Sequence, residues 1–259
     1  MATVSNWSDS AGDFDPGLAH DILSNAKKRS KHAGALAQLC ADHGYDGIDL
    51  DWESLRVKDR DRFSAFVESL AAVLHAQGKV LAIAVHPKTS EPGDWSGAKA
   101  EDWSRIGAAV DEFKVMTYDY SGPWSPPGPV APPDWMDEVI AHAETLVASE
   151  KIMMGLPFYG YDWSGGTAAG LNWSDVQAIL AAHGPAILRD PSGEATFTYT
   201  DGGGAAHTVF FQDSPAIQAK LDMMLQSHAG IRGIAIWVMQ GEDPEFWDDI
   251  AADLRPARP

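Results

Sequence analysis

Short apolar runs that alternate with longer amphipathic segments predict an α/β chain of parallel βα units, arranged as a TIM-type (β/α) barrel. Two further observations agree. The 259 residues suit one large domain, so residues 1–259 are read as a single unit. The apolar share of 45% is enough for a sizeable core.

A first strand is predicted at about Thr3–Trp7. A helix follows from near Ser24, its cap, to before Gly44, its stop. Next come the strand Gly47–Trp52 and a helix over Lys58–Gln77, whose buried stripe is Phe63, Phe66, Val67, Leu70 and Leu74. The alternation continues with Val80–Val85, a short helix over Asp102–Ala109, Phe113–Thr117, a helix over Trp135–Ser149 and Ile152–Leu156. From Ser164 to Asp213 the rhythm breaks. A short helix at Ser174–His183 precedes Phe197–Tyr199 and Thr208–Phe211, which flank a Gly-rich turn and read as a β-hairpin insertion on the barrel rim. A helix over Ala216–His228, the strand Gly233–Val238 and a helix over Phe246–Leu254 complete the chain. The Pro-rich stretch Pro123–Pro133 reads as a functional loop. About six βα units result, whereas a full barrel takes about eight, so the chain is short of a full barrel by roughly two units.

The formal net charge of −18 argues against nucleic acid and against an anionic membrane surface. Cys40 is the single cysteine, so no intrachain disulfide can form; Leu36, Leu39 and His43 place it on a helix face as a buried thiol. The N-terminus has neither a basic nor an apolar signal region, so no signal peptide is expected, and the compartment stays unknown. No apolar run reaches membrane-spanning length. His86, His142, His183 and His207 lack partners at metal-ligand spacing and read as satisfied structural histidines. Gly202-Gly203-Gly204 lacks a following Lys-Ser/Thr and reads as a hairpin turn rather than a phosphate loop.

The most informative stretch is Asp46-Gly47-Ile48-Asp49-Leu50-Asp51-Trp52-Glu53. In a strand Asp49, Asp51 and Glu53 share one face while Ile48, Leu50 and Trp52 share the other. The apolar set is expected to face the helices and the acids the barrel axis, with Glu53 at the strand's carboxyl end, where barrel enzymes place their chemistry. Three neighbouring acids cannot all ionise cheaply, so their titrations couple and a proton is shared. That suits a carboxylic acid able to donate to a glycosidic oxygen. Clustered carboxylates also suit Mg²⁺ or Ca²⁺, and residue type alone leaves that alternative open.

This octet resembles the Asp-x-x-Asp-x-Asp-x-Glu signature of family-18 glycoside hydrolases, the chitinase family. Met116-Thr117-Tyr118-Asp119 resembles that family's strand-six motif, Gly155-Leu156-Pro157-Phe158-Tyr159-Gly160 its strand-seven motif, and Trp237 stands where it places a strand-eight tryptophan. Val4-Ser5-Asn6-Trp7, Leu23-Ser24-Asn25 and Tyr159-Gly160-Tyr161-Asp162-Trp163 most resemble the bacterial spore-cortex branch and its chitinase-like relatives. The likeness covers nearly the whole chain, from strand three to strand eight, which implies a barrel truncated at the N-terminus, with strands one and two missing.

The resemblance implies retaining, substrate-assisted cleavage of β-1,4 bonds at N-acetylglucosamine units, in chitin or its oligosaccharides or in peptidoglycan, with transglycosylation as a side path. Glu53 would be the acid and then the base, Asp51 would orient the substrate's acetamide, Asp49 would hold Asp51, and Tyr118 would donate to the acetamide. Trp237 would floor the subsite of the cleaved sugar, Met116 would line the acetamide pocket, and Asp119, Tyr159 and Trp7 would contact sugar. No cofactor and no metal are implied; the partner is an N-acetylglucosamine-containing glycan. Tyr161 departs from the pattern, since many chitinases carry Arg there, which puts that sugar contact in doubt. Trp124, Trp135 and Trp163 could extend a glycan groove or pack in the core. Two other classes stay open, a chitin-binding lectin and an inactive barrel; the first usually lacks the terminal Glu, which is present here.

A barrel without its first two strands has two edges, at Thr3–Trp7 and Gly233–Val238, and exposed edges invite pairing. The expected outcome is a homo-oligomer covering the open side, or closure between the two edges. Light scattering checks the first. A monomer whose amides exchange fast at both edges excludes both.

Overall fold

The computed structural model describes residues 1–253, so Leu254, the predicted end of the last helix, lies outside the described residues. The chain forms two compact units. The first comprises 1–116, 139–154 and 230–232, and the second 117–138, 155–229 and 233 onward.

In the first unit β1 (Ala2–Ser5) is followed by a short antiparallel pair, β2 (Trp7–Ser8) and β3 (Asp13–Phe14). Then come α1 (Pro16–Leu23), α2 (Ala26–His43), β4 (Gly47–Asp51), α3 (Arg60–His75) and β5 (Val80–Val85). The helices α4 (Ser96–Lys99) and α5 (Trp103–Ala109) precede β6 (Glu112–Val115). Two elements pass between the units, α6 (Pro133–Glu144) and β7 (Ile152–Pro157). The strands of the first unit run parallel in the order β1-β4-β5-β6-β7.

The register explains the core. Ile48, Leu50 and Trp52 are fully or almost fully buried, while Asp49, Asp51 and Glu53 on the opposite face are half-buried. Trp52 stacks on Phe66 at 4.9 Å and on Phe63 at 6.1 Å, so the apolar face of β4 meets α3. All five residues of the predicted α3 stripe are buried. Trp103 on α5 meets Phe113 on β6 edge-on at 5.5 Å. Cys40 is buried on α2, and burial raises its thiol pKa.

The helix expected from Ser24 is α2, which begins at Ala26, and a further helix that was not expected, α1, precedes it. Asp15 caps α1, accepting from Gly17 and Leu18, and Pro16 opens its first turn, where a missing N–H costs nothing. Ser24 therefore ends α1, and Asn25 caps α2. Gly44 stops α2 at φ 69°, as a left-handed C-cap.

The second unit contains β8 (Gly160–Ser164), β9 (Thr167–Leu171), α7 (Trp173–His183), β10 (Leu188–Arg189), β11 (Ala195–Thr200) and β12 (Ala206–Phe211). They are followed by α8 (Ser214–Ser227), β13 (Gly233–Trp237) and α9 (Phe246–Asp253). β13 follows β7 in the order of the six-stranded sheet, whose terminal members are β1 and β13. The expected hairpin is the middle of something larger. The pair β11–β12 belongs to a five-stranded antiparallel sheet, ordered β10-β11-β12-β8-β9, that begins at Gly160 rather than Ser164. Gly165 and Gly166, with φ 61° and 82°, make the tight turn between β8 and β9, a two-residue hairpin signal present in the sequence. Its core is Val176, Ala195, Phe197, Val209 and Phe211, with Ile179 and Leu180 of α7 packed against it. No helix among the described residues is long and apolar enough to cross a membrane.

Glu194 and Lys220 form a fully buried pair at 3.7 Å. Glu194 also accepts from the backbone of Val130 at 2.5 Å and Ala131 at 3.1 Å, fixing the end of the Pro-rich loop. Burial pushes the carboxyl of Glu194 up and the ammonium of Lys220 down. Removing one partner leaves the other charge uncompensated. Glu194→Ala should therefore lower the unfolding free energy by roughly 3–5 kcal/mol, measured by urea denaturation.

Candidate active site

The acids of β4 stand on a face built by in-register neighbours. Thr3 and Ser5 pair with Asp49 and Asp51 on one side, and Ala82 pairs with Asp49 on the other. On β6 the same face continues through Glu112 and Lys114, opposite Ala82 and Ala84. Those two methyl groups leave room for Lys114 to reach across β5, and its Nζ lies 2.9 Å from Asp49 Oδ2. The other oxygen of Asp49 is buried without a hydrogen-bond partner among the described residues.

Asp51 lies between two acids, and its pKa is raised to about 6. Burial is the main cause, followed by the charges of Glu53 and then Asp49; His86 and Lys114 act in the opposite sense.

Glu53 follows the end of β4 and is held through its backbone. Buried Asn6 accepts from Glu53 N–H at 2.8 Å and donates to Glu53 C=O at 2.9 Å, with a further bond to Asp15 C=O at 3.2 Å. Ser54, next in the chain, has φ 54°, a conformation costly for a residue with a side chain and common at functional sites. The side chain of Glu53 has its Oε2 3.4 Å from His86 Nε2. His86 stands just past β5, and its Nδ1 lies 2.7 Å from Glu101, which is 1% exposed.

His86, read from the sequence as a structural histidine, is buried between Glu53 and Glu101. Its signal was available, because Ala82, Ala84 and His86 alternate with Leu81, Ile83 and Val85 as the acids of β4 alternate with their apolar partners. Asn6, Lys114 and Glu101 were also missed. They are far from the acids in sequence, and only the register brings them near.

Met116, half-buried, continues from β6, its N–H bonded to Val85 C=O at 3.0 Å. Trp7 is 47% exposed and packs edge-on against Phe14. In the second unit, Asp119 accepts from Tyr159 OH at 2.6 Å and Tyr161 OH at 2.9 Å. Burial, then the charge of Asp119, pushes both phenols up. Tyr161, the departure from the family pattern, thus serves here as a partner of Asp119. Asp119 itself has φ 61°. Tyr118 meets Tyr159 edge-on at 6.1 Å. Trp237 ends β13 half-exposed at 54%, and its peptide bond to Val238 is cis. Of the loop tryptophans, Trp124 is 66% exposed and Trp135 packs on Tyr120. Trp163 is buried, and its indole N–H bonds the loop carbonyls of Gly122 and Ser125, a core and anchoring position.

Glycosyl hydrolases family 18 matches residues 1–242, and the chain belongs to that family of glycoside hydrolases. The fold of such relatives is a TIM-type barrel, and the parallel sheet here is consistent with it. The chain is 29% identical to the uncharacterized glycosylase YvbX of Bacillus subtilis over 96% of its own length and 73% of that protein's. It is 30% identical to the cortical fragment-lytic enzyme of the same organism, over 95% of this chain and 58% of that one. Among solved structures, the chitinase of Chromobacterium violaceum superimposes with a TM-score of 0.90 at 30% identity, over 98% of this chain and 80% of that one.

Raised above its unfolded value of 3.8, the pKa of Asp51 makes the folded state bind a proton more tightly than the unfolded state. Its contribution to stability is complete below pH 3.8 and lost as pH rises through about 6. Asp51→Asn, which stays neutral, should therefore gain stability relative to the native chain between pH 4 and pH 7, read from paired thermal melts.

Proposed function

We propose that this chain hydrolyses β-1,4 bonds at N-acetylglucosamine units with retention of configuration, the substrate's acetamide acting as nucleophile. The observation that carries this reading is the shared face of Asp49, Asp51 and Glu53. Asp49 is paired with Lys114, Asp51 has a raised pKa and Glu53 is fixed through its backbone, so the three acids stand in three different environments on one strand face. Glu53 protonates the leaving oxygen and then, as carboxylate, takes a proton from the attacking water. The acetamide oxygen attacks the anomeric carbon and closes an oxazolinium ring; Asp51 orients the acetamide N–H and stabilises its developing positive charge. Asp49 holds Asp51 in place. Tyr118 is assigned as donor to the acetamide and Trp237 as the platform under the sugar, with Met116, Asp119, Tyr159 and Trp7 as further contacts. The chain acts as one catalytic domain of about six βα units, with the antiparallel sheet as its rim insertion.

Chitin-type oligosaccharide is the first substrate reading, supported by the likeness to the Chromobacterium chitinase. Peptidoglycan is the second, favoured by the likeness to a cortical fragment-lytic enzyme over most of this chain. Product analysis on both polymers side by side decides between them.

Glu53→Gln should lower kcat on a chromogenic di-N-acetylchitobioside by at least roughly a thousandfold while the thermal melt stays cooperative. Near-native turnover in that folded variant would sink the mechanism. A thiazoline analogue should inhibit competitively, and a covalent glycosyl ester on any carboxylate would count against acetamide participation.

A further inference from the structure

The reading of Glu53 as acid leaves one neighbour without a role. His86 is 5% exposed, yet its ring is held from three sides. Glu101 takes Nδ1 at 2.7 Å, and its two oxygens also accept from the His86 backbone N–H at 3.2 and 3.0 Å. Trp95 lies edge-on over the imidazole, with ring centroids 4.5 Å apart and planes at 87°. The third side is Glu53, 3.4 Å from Nε2, an atom that is buried and has no hydrogen-bond partner among the described residues.

Glu101 is itself anchored. Its carboxylate also accepts from the Trp103 indole at 3.4 Å, and its backbone carbonyl accepts from Lys88 at 2.8 Å and Arg60 at 2.5 Å. Lys88 and Arg60 in turn pair with Glu91. Gly97 provides the space for Trp95, since a Cβ there would stand 2.3 Å from the indole. An imidazole fixed this firmly, with Nε2 turned to a carboxylate at the site, is placed for work on that carboxylate.

We propose that His86 is a positioning residue for the acid, its Nε2–H fixing one oxygen of Glu53 and leaving the other to serve the glycosidic oxygen. The inference rests on the reading of Glu53 given above. When Glu53 gives its proton to the leaving oxygen, negative charge builds on its carboxyl, and a cation at Nε2 stabilises that charge in the transition state. His86 keeps its own proton throughout. The separation of 3.4 Å is long for a hydrogen bond, and catalytic bonds of this kind commonly tighten only as the reaction proceeds.

The imidazolium form is favoured below about pH 9. Burial alone would lower the pKa of His86, but Glu101 and then Glu53 raise it to about 9. The charged groups bearing on the ring are Glu53 and Asp51 at the end of β4, and Glu101 before α5, with Lys88, Glu91 and Arg60 behind Glu101.

The test is steady-state kinetics on the chromogenic chitobioside as a function of pH, with thermal melts run first. His86→Ala should lower kcat about a hundredfold, with KM within about threefold. His86→Gln, which keeps an N–H donor without the charge, should recover part of that loss. Glu101→Gln should move the alkaline fall of kcat, expected near pH 9 in the native chain, to lower pH. A folded His86→Ala with native kcat and a native alkaline limb would overturn the proposal. Should His86→Ala fail to melt cooperatively, His86→Gln and Glu101→Gln carry the same readings, and native profiles in both overturn it. Glu53→Gln on the same substrate separates the two failures. Activity lost there but native in the His86 variants removes this inference alone, whereas activity kept there removes the functional reading beneath it.

Discussion

The candidate site depends on the alternation of side chains along β4. One face of five residues and their two successors is apolar and fully packed, and the other carries three carboxyl groups. The stack of Trp52 on Phe63 and Phe66 fixes which face is which. A slip of one residue in the pairing with β1 or β5 would bury the acids against α3 and turn Ile48 and Leu50 towards the polar side. The hydrophobic contacts of a helix thus decide where the chemistry is.

Holding acids so close requires compensation, and the chain supplies it unevenly. Asp49 has an ammonium partner in Lys114, whereas burial and then the charge of Glu53 raise the pKa of Asp51. Beyond Glu53 the compensation comes from an imidazole whose own charge is sustained by a second, buried carboxylate. Positive and negative groups therefore alternate outward from the acid strand. The glycosidase reading needs this gradation, because general acid chemistry asks neighbouring carboxyls to differ in protonation.

Much of this was legible in the chain. Period-two alternation located β4 and β5, and the period of 3.6 located the buried stripe of α3 to the residue. The acids could be named because they are adjacent in one strand. Asn6, Lys114 and Glu101 could not, since each meets the acids through tertiary pairing across 47, 65 and, by way of His86, 15 residues of separation. The antiparallel sheet was underread for a different reason. Its strand β9, Thr-Ala-Ala-Gly-Leu, has weak β-propensity, and only the Gly165-Gly166 turn and its pairing with β8 make it a strand.

The alanines of β5 carry one more implication. Ala82 and Ala84 contribute almost nothing polar, yet they set the distance over which Lys114 and Asp49 communicate. A branched side chain at either position would act as an insulator between the two strands. Asp49 would then lose the ammonium that partners it. In this chain a vacancy the size of a few methyl groups, on a strand that bears no charge of its own between its neighbours, governs the electrostatics of the strand beside it.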